Sequence, residues 1–193
     1  MKKLRIPMKD VEAAAQLSSI ALILGWSLES VTEATSTRPY QIIWVTDEDE
    51  AGSRSIVRFI DDFMIEVPYI YIESEAPEHL APGLPEFVDV YTNDEIRKLA
   101  DSAATAEQLH LAVRLMALIA PPEFDASFFE FFRKSLTFPD PTVQRKAILA
   151  MGYVGWKELL PVLEQLAKEA LLASSAPALP LNMAFIPPIR PLL

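Results

Sequence analysis

The stretch that most constrains this chain is Asp140 to Glu169, DPTVQRKAILAMGYVGWKELLPVLEQLAKE. Asp140-Pro141 is a helix opening: Asp accepts from free first-turn amides, and Pro tolerates the first helical position because its missing N–H needs no partner there. Val143, Ala147, Ala150, Met151 and Val154 recur at helical spacing. Gly155 supplies a left-handed cap. A second helix starts near Trp156, with Leu159, Leu160, Val162, Leu163, Leu166 and Ala167 as its apolar set. Two short helices laid back to back are predicted, with small Ala residues allowing close approach.

The pattern Asp140-Pro141-x-Val143-x-x-x-Ala147-x-x-Ala150-Met151-Gly152-x-x-Gly155 resembles the short HEAT-like repeat of phycobilisome lyases and bacterial adaptor proteins. Family members usually carry Arg directly after the Val; this chain has Gln144 there and Arg145 one place later. The resemblance implies a stack of helical hairpins and is nearly silent on function. Helices expected at 105–120 and 125–136 form an earlier copy of the pair at 141–154 and 157–170. A helix at 93–102, opened by Thr92 or Asn93 with Glu95 in its first turn, caps the stack.

Ahead of the helices the signals change. Residues 8–24 read as one helix ended by Gly25, and residues 26–37 as an unassigned segment ending in a loop. Strands are expected at Tyr40–Thr46, Ser55–Ile60 and Met64–Glu73, with Asp61-Asp62 as a turn, although Ile56, Phe59, Ile60, Phe63, Met64 and Val67 also fit a helix. The fold class expected is therefore α+β: an N-terminal helix on a small antiparallel sheet, then a short all-α HEAT-like stack. The divisions expected are 1–75 (α+β module), 76–92 (Pro-rich connector), 93–170 (helical repeats) and 171–193 (apolar, Pro-rich tail).

Charge narrows the partner. Residues 1–92 hold 7 Lys+Arg against 16 Asp+Glu, and residues 93–193 hold 10 against 11. Neither half offers a basic face, so nucleic acid is not expected as a partner. No cysteine is present, which excludes disulfides and thiolate metal sites and makes a cytoplasmic setting the simplest. Met1-Lys-Lys-Leu-Arg imitates the start of a signal peptide, but Lys9, Asp10 and Glu12 break the following run. No stretch reads as a membrane span.

Phe128, Phe129, Phe131 and Phe132 crowd one helix and cannot all face one core. Three can pack between repeats while the fourth lies on the sheet or connector, or the cluster can present an aromatic contact to a partner. The contact residues selected on the second reading are Phe128, Phe131, Arg133 and Lys134. The tail either covers the last repeat or docks on another chain, as in a homodimer with a swapped arm. The acidic runs Asp47–Glu50 and Asp61-Asp62 lack calcium-loop spacing, and His79 and His110 have no motif partners. No catalytic constellation, metal site or cofactor is expected. The function expected is a non-enzymatic protein-interaction module. A tetrapyrrole (bilin) lyase or chaperone is the alternative that the repeat resemblance implies, and a HEAT-like DNA glycosylase is disfavoured by charge.

Overall fold

The computed structural model describes residues 1–10, 12–48 and 52–175. The chain divides into two compact units, Met1–Ile119 and Ala120–Leu193. In the first unit the order is β1 (Lys2–Pro7), α1 (Ala13–Ile23), β2 (Ser27–Thr32), β3 (Tyr40–Val45), β4 (Ile56–Asp61), β5 (Tyr69–Ser74), α2 (Pro77–Leu80), a 3₁₀ segment (Ala81–Glu86), α3 (Asn93–Ser102) and α4 (Ala106–Ile119). The second unit holds α5 (Ala126–Ser135), α6 (Pro141–Val154) and α7 (Leu160–Ser175).

The expected fold class is corrected by the sheet. It has five strands in the order β1-β5-β4-β3-β2, every pair antiparallel, and it is the centre of the first unit rather than a small N-terminal platform. Two strands come from stretches read otherwise. Lys2–Pro7, which imitates a targeting sequence, pairs with β5 from Lys2↔Ser74 to Pro7↔Tyr69. Ser27–Thr32, left unassigned above, forms the opposite edge against β3. The helices expected as one repeat stack are divided between the two units: α3 packs on α4, and α4 packs on β1, so this pair belongs to the sheet's unit. Arg114 of α4 reaches the β4–β5 turn, donating to the backbone carbonyl of Glu66 at 3.1 Å and pairing with its carboxylate at 3.2 Å.

One face of the sheet forms the main core. Val57 and Phe59 of β4, Ile70 and Ile72 of β5, and Ile42 and Trp44 of β3 pack with Leu17, Ile20 and Ala21 of α1. Those α1 positions recur at helical spacing, so one stripe of an 11-residue helix is committed to the sheet. Each large apolar side chain buried there stabilises the fold by about 1.5–3 kcal/mol. Leu84, Val88 and Val90 join the same core, and Met8 bridges Val90, so the stretch expected to be a connector is part of the first unit's interior.

Local rules hold where they were legible. Thr92 forms a reciprocal capping box with Glu95. Asp125 and Asp140 cap α5 and α6, and Gly155 ends α6 at φ 72°. Residues 56–67 are a strand to Asp61 followed by a turn, in which Glu66 has φ 54°. Val11, Asp49, Glu50 and the tail beyond Ser175 lie outside the described residues.

Candidate functional site

The four residues selected from the sequence do not form one surface. Asp125 fixes the start of α5 by accepting from the Ser127 and Phe128 amides at 2.8 and 3.3 Å. One turn apart, Phe128 and Phe132 are 1% and 0% exposed. Phe128 meets Trp156 edge-on at 6.4 Å, and the Trp156 indole N–H donates to the Pro121 carbonyl at 3.0 Å. Phe128 is therefore an interior residue, for the packing reason that its helix needs a buried stripe. Phe131 is half-buried against Phe132. Arg133 and Lys134 are exposed, and Arg133 is engaged by Glu130 at 2.7 Å.

The polar clusters are internally satisfied. On the sheet face away from α1, Arg5 and Arg58 lie over the Tyr71 ring at 5.9 and 5.4 Å, and Glu73 binds Arg58 at 3.0 Å and Lys3 at 3.8 Å. Burial, reinforced by the Glu73 charge, pushes the Tyr71 hydroxyl up. Asp62 is pushed up by burial, against the hydrogen bonds it accepts from the Met64 and Ile65 amides. It shapes the turn. His79 and His110 sit on separate helices, α2 and α4. Among the described residues no group of three or more His, Cys, Asp or Glu is arranged to hold a metal ion.

An apolar groove of about 360 Å³ lies between α1 and β2. Its formation is local. Gly25, at φ 73°, ends α1 in a left-handed cap: the Gly25 amide donates to Leu22 at 3.3 Å, and the Trp26 amide to Ala21 at 2.7 Å. A side chain at position 25 would strain that backbone, and its Cβ would lie 3.3 Å from the Asp47 carboxylate. The cap turns Trp26 inward and launches β2 alongside β3. Trp26, Ile42 and Trp44 line the groove from the core side, and Ser18, Ala21 and Leu22 from α1. The Ser18 hydroxyl donates to the Ala14 carbonyl at 3.0 Å.

Leu28 and Val31 complete the lining from β2. They are three residues apart, and in a regular strand such residues face opposite sides. Here the register shifts between Leu28 and Ser30, so Leu28 pairs with Trp44 and Val31 with Ile42. Trp44 and Ile42 both point to the core face, and the bulge therefore puts both apolar residues of β2 on that face. α1 does not cover them. Leu28 is 60% exposed, Val31 49% and Leu22 81%, while Trp44 one strand inward is 2%. The helical layer is one strand too narrow for its sheet.

Sequence reading missed these residues. The signal was Leu28-x-x-Val31 beside Trp26, a spacing that fits neither strand nor helix until a bulge is allowed. Comparison with family models, with curated proteins and with solved structures gave no match to this chain. No helix among the described residues is long and apolar enough to cross a membrane.

Proposed function

We propose that this protein is a non-catalytic protein-interaction module that receives an apolar anchor from another chain in the groove between α1 and β2. The observation carrying this reading is the exposure of Leu28 and Val31 on the same sheet face that α1 buries one strand away. Isolated exposed apolar residues are ordinary, whereas a contiguous apolar depression at a sheet edge marks a contact surface. Its volume is that of a site taking one or two large side chains. Ser18 is the lining hydroxyl, and its bond to the α1 backbone favours a passive wall over a nucleophile. A tetrapyrrole would bring propionates to a groove whose eight lining residues include no cation, which favours a peptide. The cytoplasm is the setting this reading takes, from the absence of cysteine in the sequence.

The test is selection of random peptides displayed against the full chain, with Val31→Lys as counter-target. Val31 is half exposed, so Lys there leaves the fold intact, as circular dichroism will verify. Peptides retained by the wild type and lost by Val31→Lys support the reading. No enrichment, or enrichment indifferent to Val31→Lys, overturns it.

A further inference from the structure

The occupant's chemistry is set by the charges at the ends of the groove. Asp47 lies beside Gly25, with its carboxylate next to the turn that carries Trp26. Glu33 follows Thr32 at the far end of β2, and Glu29 is the bulge residue between Leu28 and Ser30. All three are exposed. Glu48, next to Asp47, pairs with Arg54 at 3.2 Å. From Gly25 to Glu48 the sequence holds four carboxylates and one cation, Arg38, which sits in the β2–β3 turn beyond the strand end. No lysine occurs between Lys9 and Lys98. An apolar trough with an acidic residue near each end, Asp47 and Glu33, is complementary to a basic segment carrying a bulky apolar residue.

Resting on the interaction reading above, we infer that the groove recognises a short extended segment with one large aliphatic or aromatic anchor and Lys or Arg on both sides. Six strand residues at about 3.3 Å each set a length of ~20 Å, which an extended segment spans with six or seven residues. The anchor enters between Leu22, Leu28 and Val31. The flanking cations then fall three residues to either side, near Asp47 and Glu33.

The same charges argue against the other occupants. A second copy pairing along β2 about a two-fold axis would bring Glu29 toward its symmetry mate, and each chain carries a net charge of −10. The bulge also interrupts the straight edge that such pairing needs. A membrane surface is anionic and is read by basic residues, which this rim lacks.

The test uses the full-length protein and three synthetic nine-residue peptides that share a central Leu-Phe anchor and differ in flanks: Lys, Ser or Glu. Binding is followed by calorimetry and by the fluorescence of Trp26 and Trp44, which line the site. The Lys-flanked peptide is expected to bind about tenfold more tightly than the Ser-flanked one, with the advantage shrinking at high salt. Glu33→Lys with Asp47→Lys should invert the preference toward Glu flanks. Equal binding of the three peptides would overturn the charge inference while leaving the interaction reading in place. Absence of binding by any peptide, when display selection does yield ligands, would overturn the inferred anchor chemistry. Binding of uncharged phosphatidylcholine vesicles that blocks the peptide, or a dimer in sedimentation abolished by Val31→Lys, would replace the inferred occupant with lipid or a second copy.

Discussion

Leu28→Ser separates an open groove from a covered one. Leu28 is 60% exposed, so about 40% of its side chain is already out of water. Complete burial of a leucine is worth about 1.5–3 kcal/mol, and two fifths of that is about 0.6–1.2 kcal/mol. The substitution should therefore lower the stability of the first unit by about 1 kcal/mol. Leu17, one layer away on α1, is 0% exposed, and Leu17→Ala should cost about 2–5 kcal/mol through lost transfer energy and the cavity left behind. The assay is urea denaturation at fixed pH, read by the fluorescence of Trp26 and Trp44 in a Trp156→Phe background, so that the signal belongs to the first unit. Wild type, Leu28→Ser and Leu17→Ala should give parallel transitions with midpoints in that order. Leu28→Ser should also abolish peptide capture while the fold persists. If Leu28→Ser costs as much as Leu17→Ala, Leu28 is covered in solution and the groove is closed.

Other perturbations follow from single contacts. Gly25→Ala places an L side chain at φ 73° against Asp47 and should destabilise the first unit by about 1–2 kcal/mol, measurable in the same denaturation. Trp156→Phe removes the indole bond to the Pro121 carbonyl and should cost the second unit about 1–3 kcal/mol, against near zero for the exposed Lys157→Ala, by calorimetric unfolding of each variant. Glu95 is held at about 2, first by the Thr92 amide it accepts from and then by Lys9, so its folded value lies below its unfolded one. The stabilisation is present above the ordinary carboxylate range and is lost as pH falls from about 4.5 through about 2. Glu95→Gln should make acid unfolding shallower in that window, and an unchanged profile would contradict the assignment. Deleting Glu29 should erase the bulge while leaving Leu28 and Val31, then two positions apart, on one face opposite Trp44 and Ile42, so capture of displayed peptides should persist; its loss would contradict the register assignment.

Legibility in the sequence followed how local each determinant is. Caps were readable because they need only a few adjacent residues: Thr92 with Glu95, Asp140 with Pro141, and Gly155 all act as their neighbours dictate. The three strands rich in Ile, Tyr and Trp were legible for the same reason. β1 was not, because Lys2, Lys3 and Arg5 mask its alternation of Leu4 and Ile6, and its partner β5 lies some 70 residues away. β2 was hidden by its own bulge, which breaks the period-two pattern on which strand recognition rests. The membership of α4 in the sheet's unit is a matter of tertiary contact with β1, and hydrophobic periodicity says nothing about which layer a helix covers. The phenylalanines of α5 announced themselves by composition, yet burial of Phe128 and Phe132 assigns two of them to packing. The groove is defined by what α1 fails to cover, which no sequence pattern encodes.

The most direct test of the central claim is an amide chemical-shift map of the full chain titrated with the Lys-flanked peptide. The groove account predicts shifts concentrated at Ala21–Thr32 and at Ile42–Trp44. Shifts confined to Phe131–Lys134 on α5, with β2 silent, would contradict it.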